Sequence, residues 1–452
     1  MQQSFMRSEF KALIFLAFPI LCTQLLQLGL GTADIAITGH FDTKVQAAVA
    51  LGVSVWHPIL LFTVGTLMSL AIFSAHNYGA GEIENVPVVF HAGLRMVAFF
   101  SVVAITLMWC SEGIFRLFSV EEGLVAPAVR YLRALSLGVP AVFLFNSLRS
   151  VSEGVARPVP VTLVMLVGFV VNACLNYVLV NGYAPIGLPS LAEVGSGLGT
   201  AITFWVMLGC MILFYKHDPR LAKLNLFRKP NVSISVGAML KDMAKVGLPN
   251  GATIFAEVTI FAVSGLILGR FGEMIVSGHQ ISLNITSMSF MVPLSVSFAL
   301  TALVGQKMGR RDLAGAVRVA RMGRVTSLGI MVLTCLFLFS ARNHLPLVFT
   351  NNPEIIALSA HLLLFSIVFQ FPDVLQVAAN GALRGMKDTR VPMLMSIASY
   401  WVVGMPLGYY LSVHQNMQAE GVWIGLIVGL SCSAILLNVR MQKLFKRFLA
   451  AS

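Results

Sequence analysis

This chain is short of charge. Aspartate, glutamate, lysine and arginine together make up 11% of its 452 residues, where an average soluble domain carries about 25%. A water-soluble globule is thereby excluded, because the 57% of hydrophobic residues is more than a core of this size can hide. Long polar stretches are also missing, and the longest, Lys216 to Lys245, leaves no sizeable domain outside a membrane. The six cysteines (Cys22, Cys110, Cys174, Cys210, Cys335, Cys432) lie scattered in apolar runs. With no CxxC and no His/Cys metal spacing, they read as small hydrophobes packed between helices. HExxH, GxSxG and P-loop patterns are absent, and Gly195-Ser196-Gly197-Leu198-Gly199 has no following lysine. No nucleophile–base set emerges, so neither an enzyme nor a resident cofactor is expected.

What the chain does have is apolar runs of about 20 residues, each long enough to cross a hydrocarbon layer of about 30 Å. The mean hydropathy is +0.84. Helices are expected at 11–38, 47–75, 88–110, 127–149, 158–182, 192–215, 244–268, 276–304, 320–341, 356–381, 391–412 and 420–440. The first run lacks a small-residue cleavage pattern and reads as a membrane helix, not a removed signal. With a cytoplasmic N-terminus, 25 of the 31 basic residues fall in inner gaps, and only Lys44, Arg116, Arg130, Arg133, Arg270 and Arg342 in outer ones. That bias places both termini in the cytoplasm. It also accounts for the net charge of +12 without nucleic acid as a partner.

The two halves resemble each other at an offset of about 230 residues. Pro19 aligns with Pro249, Gly39 with Gly269, Gly79 with Gly309, Gly154 with Gly385 and Pro160 with Pro392. Six helices per half make the repeats parallel, related by a pseudo-two-fold axis along the membrane normal. The expected organisation is an N-lobe at 1–215, a cytoplasmic linker at 216–243 and a C-lobe at 244–452. This anatomy suits a transporter, with a two-bundle channel as the alternative.

Of nineteen acidic residues, only Asp34, Glu257 and Asp373 fall inside long apolar stretches. An ionised carboxylate at mid-membrane costs about 2.5–3.5 kcal/mol on insertion scales, so a cation, a proton or an ion pathway is expected to offset it. No Arg or Lys falls mid-helix as a partner. None of the three obeys the repeat: Glu257 faces Gln27, Asp34 faces Ser264, and Asp373 faces Val142. Polar residues around them recur at helical spacing. The stripes are Gln24, Gln27, Gly31 and Asp34; Asn250, Thr253, Glu257 and Ser264; Gln280, Asn284 and Ser287; and Gln370, Asp373, Gln376 and Asn380. Asn172 and Asn176 form an i,i+4 pair. Such amides serve either as glue between helices or as the lining of a polar site. Asp34, near the outer end of its helix, is either an interfacial, solvated carboxylate or a functional one. His57 and His279 read as packed histidines, and the many Phe as helix packing, with a few able to line a cavity for flat cations.

These residues resemble the multidrug and toxin extrusion (MATE) family, in its bacterial NorM-like branch, over nearly the whole chain. The matching segments are "GLGTADIAITG" around Asp34, "FAEVTIFAV" around Glu257, "HQISLN" at 279–284, "NACLNYVLVNG" at 172–182 and "QFPDVLQVAANGALRGMKD" at 370–388. The resemblance implies an all-α membrane protein of twelve helices in two six-helix lobes. It implies an antiporter of the bacterial inner membrane that expels organic cations, such as fluoroquinolones and dyes, for Na+ or H+, and a monomer in contact with membrane lipid. Glu257 and Asp373 correspond to the C-lobe cation-site carboxylates, holding Na+ transiently. Asp34 with Asn172 and Asn176 corresponds to the N-lobe cluster. Gln27, Gln280, Asn284, Gln370 and Gln376 are the supporting lining. Phe369 stands where NorM-like relatives can carry a Tyr, which leaves the identity of the coupling ion open. A lipid-linked precursor flippase of the same superfamily is the alternative.

Overall fold

The computed structural model describes residues 2–117, 120–183, 185, 187, 189–228 and 234–450, with the backbone alone for 2–7. Twelve apolar helical spans are present among the described residues. They are α1 (Ser8–Phe41), α2 (Thr43–Ala80), α3 (Ile83–Trp109), α4 (Glu122–Ser136 bent into Val139–Gly154), α5 (Val159–Asn181) and α6 (Ala192–His217). The second six are α7 (Val236–Phe271), α8 (Glu273–Gly309), α9 (Leu313–Ala341), α10 (Pro353–Gly385), α11 (Arg390–His414) and α12 (Gln418–Ala450). Each expected helix is found. The bend of 51° in α4 has a local cause: Pro140 has no N–H to give the Ser136 carbonyl. Gly138 at the break also approaches α6 closely, since a Cβ there would stand 2.6 Å from Ala201 Cα.

Several acids in the polar gaps cap helices. Asp42 accepts from the N–H of Lys44 at 2.6 Å, Asp312 from that of Gly315 at 2.8 Å, and Asn352 does the same for Glu354 at 3.0 Å. These contacts satisfy donors that a helix start leaves open. Asp218 serves the short helix Pro219–Ala222 through Arg220 N–H at 2.8 Å. Most of 216–243 is thus built into structure: α6 reaches His217, and α7 already begins at Val236. Residues 229–233 of that linker lie outside the described residues.

The chain divides into two compact units whose limits fall inside helices: Cys22–Gly251, and Ala252–Ser452 together with Met1–Leu21. In the first, the start of α7 contributes Met239, Met243 and Val246 to a core that includes Trp56 stacked on Phe143 at 6.1 Å. Asn250 donates to the Gly65 carbonyl at 2.6 Å. In the second unit α8 packs on α10, and α10 on α12, around a wholly buried Trp423. The start of α1 joins this unit through Glu9, which lies 3.4 Å from Lys307 and 3.6 Å from Arg318. Helices α11 and α12 meet along glycines; a Cβ on Gly425 would collide with the backbone of Gly408. Large apolar side chains such as Phe18, Phe99, Leu266, Leu333 and Ile435 stay exposed, as a lipid-facing surface requires.

Candidate functional site

Glu257 of α7 is the centre of the polar cluster in the second unit. Its Oε1 accepts from Gln376 Nε2 at 2.8 Å and from Tyr400 Oη at 3.1 Å. Tyr400 lies in a π-helical stretch of α11, Ala398–Gly404. Such wide turns shift a side chain off regular α register and recur at functional sites. Beside it, Trp401 donates to the Ala256 carbonyl at 3.3 Å, fixing α11 against α7. Asp373 is 7% exposed, stands within electrostatic reach of Glu257, and forms no side-chain hydrogen bond or ion pair among the described residues. One turn away, Gln370 is buried with its Nε2 unpartnered. Phe369 packs on Trp423 at 5.8 Å and Phe261 at 6.1 Å. The hydroxyl next to Glu257 therefore comes from α11 and not from position 369.

In the first unit Asp34 is also 7% exposed. Its side chain is therefore buried and not solvated, because α5 and α6 bring Asn176 and Thr200 against it. One carboxylate oxygen accepts from Asn176 Nδ2 and the other from Thr200 Oγ1 at 3.2 Å, while Asn172 donates to Thr200 at 3.2 Å. Both asparagines are wholly buried, and each keeps an unpartnered Oδ1. The i,i+4 spacing holds the pair on one face of α5. Gly199 admits α6 there, since a Cβ would collide with Asn176.

Other expected members lie elsewhere. Gln24 and Gln27 accept from Arg149 at 2.7 and 3.1 Å, so the first-helix stripe splits into two sites. Asn250 belongs to the first unit, away from the Glu257 cluster in its own helix. Gln280, Asn284 and Ser287 are exposed, and no hydrogen bond joins them to Glu257. Four residues were not foreseen: Thr200 and Tyr400, which donate to the carboxylates, and two buried arginines, Arg149 and Arg384. Arg149 and Arg384 sit close to the ends of α4 and α10, yet each is 7% exposed. The absence of a mid-helix cation is therefore no absence of a buried one.

Ion pairing separates the acids cleanly. Glu9, Glu153 and Glu193 are also buried or largely so, but they pair with Lys307, with Arg149 at 2.8 Å and with Arg130 at 2.6 Å. Among the described residues Asp34, Glu257 and Asp373 have neutral neighbours or none within pairing distance. No group of three or more His, Cys, Asp or Glu able to hold a metal occurs among them either. Each unit of this helical membrane protein thus buries a carboxylate held by neutral donors, Asp34 in the first and Glu257 in the second.

A profile of the MatE family matches residues 19–178 and 249–410, once in each repeat and at the offset noted above. The chain belongs to this family of multidrug and toxin extrusion transporters, and it is not an enzyme. Its fold is similar to that of a eukaryotic MATE transporter, AtDTX14, at 18% identity over 98% of each chain with a TM-score of 0.88. It is similar as well to a multidrug resistance MATE family transporter of the MOP superfamily in an outward-facing conformation, at 19% identity over 97% of this chain and 96% of that one, TM-score 0.86. A MOP superfamily transporter from Pyrococcus furiosus, for which a binding pocket of reverse polarity suggests a different function, matches at 18% identity over 97% and 96%, TM-score 0.84.

Proposed function

We propose that this chain is a secondary active antiporter that expels organic cations, including fluoroquinolones and dyes, in exchange for Na+ or H+. Its place would be a bacterial inner membrane, with both termini cytoplasmic. The observation that carries this reading is the set of three buried carboxylates without a fixed ion-pair partner. Burial of an unpaired carboxylate is costly, and a mobile cation removes that cost whenever it binds. Na+ or H+ acts here as a transported ion: Glu257 and Asp373 would hold it, with Gln376 and Tyr400 orienting Glu257. Asp34, with Asn172, Asn176 and Thr200, would respond in the first unit. Entry of the ion from outside neutralises the carboxylates, releases the organic cation and permits the transporter to reverse. The driving force is adequate, since one charge crossing 100 mV supplies about 2.3 kcal/mol and a hundredfold gradient about 2.7 kcal/mol.

The flippase alternative needs free buried cations for a pyrophosphate. Of the two buried arginines among the described residues, Arg149 is occupied by Glu153, Gln24 and Gln27 and only Arg384 lacks a carboxylate, a single cation for two phosphates, which counts against it. The test is ethidium efflux from energised cells, with and without Na+, for the wild type and the Glu257→Gln and Asp373→Asn variants. Loss of ion-driven efflux in both variants, at unchanged membrane insertion, is expected. Full ion-driven transport by the double variant would discard the scheme.

A further inference from the structure

Arg384 is a buried guanidinium with no carboxylate within pairing distance among the described residues. It lies on α10 three helical turns beyond Asp373 and on the same face, because eleven residues come round to nearly the same direction at about 3.6 per turn. Its NH2 donates to Ser297 Oγ at 2.6 Å, its guanidinium carbon lies 5.6 Å from the centre of the Phe298 ring, and its Nε is buried without a partner. A neutral hydroxyl and one ring face do not compensate a buried full charge. The first unit shows the contrast. There Arg149 is spent locally on Glu153 at 2.8 Å, and Asp34 is left with neutral donors. Glu153 is itself the repeat counterpart of Arg384, so the second unit carries a cation where the first carries an anion.

We propose that Arg384 is the fixed counter-charge of Glu257 and Asp373, a tuning residue that weakens their hold on a coupling cation enough for the ion to leave again. This rests on the reading of those two carboxylates as the cation site. Charge acts over such distances because the surroundings are of low dielectric. The charged and titratable groups within electrostatic reach of Glu257 are Asp373 and Arg384 of α10 and Tyr400 of α11, while α8 supplies Ser297 and Phe298 to Arg384 itself. Of these only Arg384 is positive. Without it the two carboxylates would bind a cation more tightly and release it more slowly.

The full chain in lipid nanodiscs decides this by infrared titration of the protonated carboxyl band, assigned to Glu257 by its loss in Glu257→Gln. In Arg384→Gln the proton concentration that half-protonates this carboxyl should fall about tenfold. Arg384→Lys, which keeps the charge, should stay within about twofold, as should Ser297→Ala, which removes only the hydrogen bond. No shift in Arg384→Gln, or an equal shift in Arg384→Lys, overturns the proposal. If Arg384→Gln does not fold, Arg384→Met, which also removes the charge, takes its place: the same tenfold fall supports the proposal and no shift overturns it. A wild-type chain whose dye efflux ignores Na+ and pH would overturn the proposed function instead, and the titration would still decide the role of Arg384.

Discussion

At Glu257 two neutral donors and no cation meet a carboxylate, and that choice of partners separates a binding site from a structural ion pair. Gln376 and Tyr400 hold the anion in place without cancelling its charge. Tyr400→Phe removes a hydrogen bond to a charged acceptor, a class worth about 1.5–3 kcal/mol. We expect ion-coupled dye efflux to fall about tenfold at unchanged expression, measured in proteoliposomes under an imposed gradient. The carboxylates themselves were legible in the sequence, because no apolar run carries an acid without a reason. Thr200 and Tyr400 were not. A hydroxyl is inexpensive in a helix, where it can bond its own backbone, so neither residue interrupts its apolar run. Arg384 and Arg149 escaped for another reason: near a helix end, a chain-position argument assigns an arginine to the polar interface, and only packing shows it buried.

Element by element, geometry follows from small local features. The π-helical stretches of α11 and the glycine seam it shares with α12 act together, the first aiming Tyr400 and the second bringing the backbones into contact. In lipid such close approach replaces the hydrophobic effect as the source of helix association. Gly425→Leu should force the two helices apart, and overpacking of this kind costs about 1–3 kcal/mol or more. A clear fall in Tm of the purified protein is the expected reading. Outside the membrane, Asp218 caps Pro219–Ala222 and pairs with Arg157 at 3.1 Å. Burial alone would raise its carboxyl; the Arg220 and Leu221 N–H groups and the Arg157 guanidinium outweigh that and hold it below the usual range. A lowered carboxylate contributes stability that is complete above the unfolded value of about 3.9 and is lost as pH falls through the folded value. Asp218→Asn should therefore lower Tm at neutral pH, and the deficit should shrink on acidification below about pH 4. A deficit unchanged down to pH 2 would assign the loss to packing.

For the whole molecule, two sequence repeats and two compact units do not share boundaries. The repeats begin near Pro19 and Pro249, while the units exchange the first part of α1 and the first part of α7. A fragment of residues 1–215 therefore lacks Met239, Met243, Val246 and the Asn250–Gly65 hydrogen bond of its unit. Extended to Gly251, it keeps them. We expect the longer fragment to accumulate several-fold above the shorter one in a pulse–chase in cells, and equal decay would show that the start of α7 contributes no stability to the unit. The twelve helices, the repeat and the three carboxylates were determined by the sequence alone, since each depends on local composition and on the cost of burying charge in lipid. Which neutral donor meets which carboxylate, which arginine is paired and which is left single, and where a helix leaves one unit for the other were decided only by tertiary structure. The donor–carboxylate contacts and the Asn250–Gly65 bond join residues more than a hundred positions apart, and no rule of spacing along one helix reaches that far.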